Sequence, residues 1–315
     1  MTGSAGPKVE VDSLTKSFAG VTAVDRISFS VGEGEIFGLV GPDGAGKTTT
    51  MRMLAGVMRS TSGAVRVDGV DVIALPELAK HHVSYMPQRF GLYEDLTVDE
   101  NIRFYADLFG IPAKLREERA LQLLQASGMI GFRKRLAGQL SGGMKQKLGL
   151  TCSLIHTPQI LLLDEPTTGV DPVSRRDFWR ILYSLREQGV TILISTAYLD
   201  EAERCNRLAL LYKGRLMHCD TPAALKKRLP GVMLEISSSD ARQVRDVVAH
   251  AEGVASVMLV GDGVHVLVDD AERRIPMLVE TLAASTVPYD RIGAIAPTVE
   301  DIFVALLHGN HERSA

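Results

Sequence analysis

Cysteine is scarce in this chain, and a long apolar run is missing altogether. The three cysteines, Cys152, Cys205 and Cys219, show no paired spacing. An odd count without a framework excludes a disulfide-stapled scaffold and fits a reducing compartment. No apolar stretch approaches the ~20 residues that a membrane-spanning helix needs. Residues 1–7 lack the apolar core of a signal peptide and read as a flexible lead-in. The eight histidines do not cluster with cysteines or carboxylates as metal ligands would. Positive charge is not in excess either. A net charge of -3 argues against a nucleic-acid partner held by bulk electrostatics. The short basic clusters Arg133-Lys134-Arg135 and Lys226-Lys227-Arg228 read as solvated helix faces or ends. No internal repeat is visible.

What is present is an ordinary globular balance, 45% hydrophobic and 23% charged, over 315 residues. That length accommodates one large domain and a small one. The stretch that organises the rest is Gly41-Pro42-Asp43-Gly44-Ala45-Gly46-Lys47-Thr48-Thr49. It has the phosphate-loop spacing: a glycine, four residues, then Gly-Lys-Thr. The apolar run Ile36-Phe37-Gly38-Leu39-Val40 precedes it and reads as a buried strand. Thr49-Thr50-Met51-Arg52-Met53-Leu54-Ala55 follows with helical spacing. Glycines let backbone N–H groups close on a triphosphate, and the helix N-terminus adds partial positive charge. Lys47 would reach the β- and γ-phosphates, and Thr48 would offer its hydroxyl to Mg²⁺.

A second run, Gln159-Ile160-Leu161-Leu162-Leu163-Asp164-Glu165-Pro166, is continuously apolar and ends in two carboxylates. Such a run suits a strand buried on both faces of a parallel sheet, and ligands gather at the carboxyl ends of such strands. Asp164 is expected to help hold Mg²⁺, and Glu165 to orient or deprotonate a water. Burying an unpaired carboxylate costs several kcal/mol, so two at a strand end are seldom neutral.

Other positions are open on spacing alone. Phe18, in a polar connection between short strands, is a base-stacking ring or a core plug, and spacing favours the plug. Gln88, after the strand Val83-Ser84-Tyr85-Met86, is a Mg²⁺ or water ligand or a plain surface amide. Ser141-Gly142-Gly143 is a second anion-binding helix start or an ordinary capped helix running from about 143 to 155. From about 90 to 157 the pattern is helical, with Leu115, Leu121 and Leu124 expected to point inward. Val190-Thr191-Ile192-Leu193-Ile194-Ser195-Thr196 is the next buried strand, and Leu208 to Leu216 reads as a closing hairpin. Beyond Pro230-Gly231 the order is strand, helix, strand, strand, helix, strand, which is the ferredoxin-like arrangement. A last helix over 298–307 and a polar tail from 309 to 315 complete the chain.

Taken together, the phosphate loop, Gln88, Leu140-Ser141-Gly142-Gly143 and Ile160-Leu161-Leu162-Leu163-Asp164-Glu165 resemble an ATP-binding-cassette (ABC) ATPase over residues 8–229. The fold class implied is α/β: a P-loop ABC ATPase with a mixed sheet, an antiparallel β subdomain and a helical insertion at about 90–157. A small α+β domain at 230–308 follows it. The resemblance implies ATP and Mg²⁺ as ligands. It makes Phe18 the adenine-stacking aromatic and Gln88 the residue linking nucleotide state to the transporter, beside Thr48 and Asp164 at the metal. Lys47, Gln88 and Glu165 become the catalytic set. Ser141, Gly142 and Gly143 become the signature that meets an ATP held by the opposite subunit, and Asp171 lies in the loop that crosses the dimer seam.

Tyr198-Leu199-Asp200-Glu201-Ala202-Glu203 and Pro297-Thr298-Val299-Glu300-Asp301-Ile302-Phe303 are similar to ATP-binding subunits of ABC-2-type, drug-resistance exporters. The partners implied are membrane-spanning permease subunits and a second ATP-binding subunit, with a heterodimer favoured. The place implied is the cytoplasmic face of the membrane. A soluble, nucleotide-dependent regulator without a transport role is the alternative. Two positions depart from the family: Asp43 stands where asparagine is usual, and Ala197 where a histidine contacts the γ-phosphate. Loss of one such donor typically costs ~10²–10³ in rate.

Overall fold

A computed structural model describes residues 6–312, with side chains to residue 307. Most of the N-terminal lead-in and the last three positions therefore lie outside the described residues. The chain divides into two compact units. The first holds the residues up to Glu201 together with Cys205–Cys219, and the second holds Ala202–Arg204 and Asp220 onward.

In the first unit, a six-stranded sheet has the order Arg215–Asp220, Arg207–Tyr212, Ile36–Val40, Thr191–Thr196, Ile160–Asp164, Val83–Met86. The pairs on both sides of Ile36–Val40, and the pairs from there to Val83–Met86, run parallel. The strand Ile160–Asp164 shows why these sequences read as unbroken apolar runs. Ile160 and Leu162 enter one core with Phe37, Met51 and Leu193, while Leu161 and Leu163 enter another with Phe178, Trp179 and Leu182. With side chains alternating at period two, a strand covered on both faces needs an apolar residue at every position. Val9–Phe18, Val21–Val31, Ser62–Val67 and Val70–Asp71 build a separate antiparallel sheet. Its Phe29 stacks on Phe37 of the central sheet at 5.2 Å.

Helices Val98–Leu108, Ala113–Ala126 and Gly142–Leu154 form the insertion, and they enclose their own core of Val98, Ile102, Leu124, Leu148 and Cys152. Thr97 starts the first of these helices with a capping box closed by Glu100. The expectation for Ala113–Ala126 needs correction, because Leu115 and Leu121 are exposed and the buried face is Ala120 and Leu124. Leu121 sits about 100° around the helix from Ala120, so it cannot share that face.

The second unit carries the expected ferredoxin-like sheet. Its strand order is Val254–Val260, Gly263–Val268, Val232–Ser237, Arg291–Ile295, with every pair antiparallel. This unit begins earlier than Pro230, because the short helix Pro222–Lys226 packs with the terminal helix. Glu203 belongs to it for the same reason: it pairs with Lys226 at 2.7 Å and accepts the Val299 N–H. The terminal helix runs Val299–Glu312, into the positions read as a polar tail, of which 309–312 are described. Gly309 alone, at about 1 kcal/mol against alanine, does not end it.

Candidate nucleotide site

Parallel register brings the chemistry to one edge. Val40 pairs with Thr196, Asp164 with Ser195, and Met86 with Leu163. The segments that leave these strands therefore emerge side by side: the glycine loop, Glu165, Ala197 and Gln88. This is the carboxyl-end crevice of a parallel sheet.

The loop itself is shaped by close backbone contacts. Gly46 has φ +101° and caps the helix Lys47–Leu54. A Cβ there would lie 2.6 Å from the Ala23 carbonyl oxygen, so glycine is required for space as well as for φ. Gly41 donates to the Thr196 carbonyl at 3.3 Å. Asp43, Gly44, Ala45, Gly46, Lys47, Thr48 and Thr49 line a cavity of about 420 Å³ with Ala23, Gln88 and Glu165. A larger cavity of about 1040 Å³ lies against Arg119, Leu150 and Ile181, away from the glycine loop and both strand-end carboxylates. The smaller one gathers the sequence-expected loop residues with Gln88 and Glu165.

Lys47 is almost fully buried. Its Nζ donates to the carbonyls of Gly41 (2.8 Å) and Pro42 (3.1 Å) and pairs with Glu165 Oε1 at 2.9 Å. Gln88, exposed itself, donates from Nε2 to Glu165 Oε2 at 2.9 Å, so it is not a plain surface amide. Thr168 reaches the same oxygen at 3.4 Å. Glu165 has φ +48°, a left-handed conformation for a non-glycine residue, and its N–H is held by Ser195 Oγ at 3.0 Å. Such strain costs of order 1–3 kcal/mol and persists where the surroundings impose it.

Asp164 is equally buried. It accepts from Thr48 Oγ1 (3.1 Å) and Ser195 Oγ (2.6 Å) on one oxygen and from Tyr85 OH (3.2 Å) on the other. Burial, and then the Asp164 charge, push the Tyr85 hydroxyl up to about 12, so it remains a donor. The sequence reading missed Tyr85 and Ser195. Both sit on neighbouring strands, and only the pairing brings them to Asp164. A hydroxyl and a carboxylate at hydrogen-bond distance supply two hard oxygen ligands, which fits Mg²⁺. That ion takes one or two carboxylates and completes its shell with phosphate and water. Among the described residues no group of three or more His, Cys, Asp or Glu is gathered, and Mg²⁺ does not require one.

Phe18, Ala197, Ser141 and Asp171 are among the expected residues that do not line this cavity. Phe18 is 43% exposed at a hairpin tip, so the core-plug reading is wrong. Its partner in register is Val21, two residues from the cavity-lining Ala23. Ala197 is exposed just beyond Thr196. Ser141 caps the helix Gly142–Leu154 by accepting from Met144 N at 3.3 Å. Asp171 caps the helix Pro172–Glu187 by accepting from Ser174 N at 2.9 Å, and those hydrogen bonds hold its carboxyl below the usual range. These two helix starts meet: a Cβ on Gly143 would lie 2.5 Å from Ser174 Cβ. Ser141 and Gly142 face outward.

Residues 24–168 match the family model described as ABC transporter. The chain is 33% identical over 306 residues to a daunorubicin resistance ATP-binding protein of Streptomyces coeruleorubidus, covering 96% of this chain and 95% of that one. It belongs to the ABC transporter family. A Nod factor export ATP-binding protein of Paraburkholderia xenovorans is 39% identical over 243 residues, 76% of this chain and 80% of that one. A probable multidrug ABC transporter ATP-binding protein of Escherichia coli is 40% identical over 305 residues, 96% of this chain and 52% of that protein. The chain thus spans about half the length of that relative. Among solved structures, an ATP binding subunit of an ABC transporter superposes with TM-score 0.64 at 29% identity, covering 70% of this chain and 92% of the other. A dimeric bacterial ABC transporter cassette gives 0.62 at 25% identity, covering 68% and 98%. The α/β cassette fold follows. No helix among the described residues is long and apolar enough to cross a membrane.

Proposed function

We propose that this chain is the ATP-binding and hydrolysing subunit of a drug-type ABC exporter, working on the cytoplasmic face of a membrane. The observation that carries this reading is Glu165: a strained, buried carboxylate held between Lys47 and Gln88 at the mouth of a phosphate loop. The relatives support the exporter class, since their names are those of multidrug, daunorubicin resistance and Nod factor export proteins.

In this reading the loop amides and the N-terminus of Lys47–Leu54 receive the phosphates. The Lys47 ammonium exchanges its carbonyl and carboxylate partners for the β- and γ-phosphate oxygens. That exchange frees Glu165 Oε1 to take a proton from the attacking water, while Gln88 holds the other oxygen. Thr48 and Asp164, with Gln88 at the rim, are the residues that would hold Mg²⁺. When bound, the ion neutralises charge on the phosphates. Phe18, close to the Ala23 side of the cavity, stacks on the adenine.

Two chains close head to tail, and the outward Ser141-Gly142 helix start of one meets the γ-phosphate held by the other. The structural relative described as a dimeric cassette supports that arrangement. Asp171 sits at the seam, and membrane-spanning ABC-2-type permease subunits receive the closure. A heterodimer is favoured because Ala197 has no donor to offer the γ-phosphate. The chain's own site turns over slowly, and the partner's site uses the intact signature here.

The test is Mg²⁺-dependent ATP binding and ATP hydrolysis by the full chain, with Ala197→His alongside. Expected are binding by the wild type and a turnover gain of ~10²-fold or more in the variant, as for one restored oxyanion-type donor. An absence of ATP binding refutes the assignment; an unchanged rate in Ala197→His refutes the role given to position 197.

A further inference from the structure

The Tyr198-Leu199-Asp200-Glu201 segment carries a carboxylate that the reading above leaves unused. The Glu201 side chain is fully buried in the first unit. Its Oε1 accepts from Thr167 Oγ1 (2.7 Å) and Trp179 Nε1 (3.2 Å), and its Oε2 accepts from Thr196 Oγ1 (2.8 Å). Arg175 Nε lies 3.7 Å away. The Arg175 guanidinium also covers the Tyr198 ring at 4.2 Å.

Two of these donors sit in segments beside the nucleotide site, and Trp179 and Arg175 lie on a third element. Thr167 is two residues past Glu165, in the turn whose Thr168 hydroxyl touches Glu165 Oε2. Thr196 immediately precedes position 197, and its carbonyl accepts from Gly41 of the phosphate loop. Its hydroxyl also receives the Tyr198 N–H at 3.0 Å, which shapes the turn after it. Trp179 and Arg175 lie on the helix that Asp171 caps. One carboxylate therefore ties the Glu165 turn, the position-197 turn and the Asp171 helix together. Burying a full charge is costly unless it is paired and hydrogen-bonded, and a neutral side chain could fill the space. A cation and three donors gathered on one anion fix relative position in a way that apolar packing does not.

We infer that Glu201 is a positioning residue for ATP hydrolysis, acting through Thr167 on Glu165 and through Thr196 on the turn at position 197. The inference rests on the proposed function. Because it sets geometry rather than nucleotide contact, its loss acts on kcat and spares affinity. Small misplacement of a reacting group lowers rate steeply, by up to ~10²-fold for about 1 Å.

The test uses the full chain in single-turnover ATP hydrolysis, with equilibrium binding of a fluorescent ATP analogue and thermal melting measured alongside. The variants are Glu201→Gln, which keeps shape and one acceptor, and Thr167→Val, which removes a single donor while leaving the carboxylate in place. Expected is a fall of at least about tenfold in the hydrolysis rate of both, with analogue affinity changed less than about twofold. In a Glu165→Gln background, Glu201→Gln should add almost nothing, because residues acting as one unit are non-additive. If Glu201→Gln fails to fold, Thr167→Val carries the same comparison. The inference is overturned if folded variants hydrolyse at the wild-type rate, or if their losses multiply fully with Glu165→Gln. A wild type that binds no ATP overturns the proposed function first, and the inference with it.

Discussion

Lys47 and Glu165 form a buried pair with unequal dependence on each other, and this asymmetry is measurable without any nucleotide. Their side chains are 3% and 9% exposed. Breaking a buried pair by removing one partner costs about 3–5 kcal/mol, because a charge is left uncompensated. The partner left behind decides how much of that is realised. Lys47→Ala strands a carboxylate whose remaining donors are the Gln88 amide and a long contact from Thr168. Both are neutral, so the cost should fall to about 2–3 kcal/mol. Glu165→Gln strands the Lys47 ammonium, but that group keeps two carbonyl acceptors at 2.8 and 3.1 Å. The substituted amide also retains an oxygen facing it, so the cost should be about 1 kcal/mol. In thermal melts of the full chain, Lys47→Ala should lower Tm by roughly 4–12 °C and Glu165→Gln by roughly 2–4 °C, at about 2–4 °C per kcal/mol for a unit of this size. ATP binding should separate the two in the same order, being lost in Lys47→Ala and retained with slowed hydrolysis in Glu165→Gln. Equal Tm losses, or a larger loss in Glu165→Gln, would refute the assignment of Gly41 and Pro42 carbonyls as the lysine's anchors.

Gly143→Ala places a methyl against Ser174, so the two helix starts must part; ATP affinity should hold while cooperative hydrolysis falls, read by the dependence of rate on chain concentration. An unchanged rate there would mean the two starts need not touch. His156, stacked on Phe109 at 3.9 Å, is held down to about 4 by burial and then by the Arg119 charge. Its unfolded value is higher, so between pH 6.5 and about 4 the unfolded chain takes up a proton that the folded chain refuses. This contribution is full above pH 6.5 and is lost as pH falls through that window. His156→Phe should flatten this part of the Tm–pH curve, and an unaltered slope would exclude His156 as its source. Asp171→Ala removes the cap on Pro172–Glu187 and should cost about 0.5–2 kcal/mol in denaturant unfolding.

The residues legible in the sequence share one property: their geometry is set by neighbours in the chain. The phosphate loop is a local object, and Gly46 is fixed by its own φ and by the strand beside it. The apolar run into Asp164-Glu165 declares two-sided burial within eight residues of sequence. The ferredoxin-like order followed from period-two strands alternating with helical faces, and the observed strand order agrees. What escaped was assembled across distance. Tyr85 is 79 residues from Asp164, Ser195 is 31, and Thr167 is 34 from Glu201. No periodicity announces such pairs, because they depend on which strands become neighbours. The misplaced face of Ala113–Ala126 has the same cause: three leucines were counted, but the insertion's own packing chose Ala120 and Leu124.

This division has a functional counterpart. The proposed phosphate binding rests on loop amides and one helix N-terminus, all within residues 41–49, and so is legible directly. The proposed turnover uses Glu165, Gln88, the turn at position 197 and the Asp171 helix: Gln88 bonds Glu165, Ser195 holds the Glu165 N–H, and Glu201 ties the Glu165 turn, the position-197 turn and the Asp171 helix together. Substitutions in the loop should therefore act on affinity, and substitutions in the buried network on rate. Under the proposed function, a chain that binds ATP well and hydrolyses it slowly is the expected result of an intact local motif beside an assembled one that lacks a histidine at position 197.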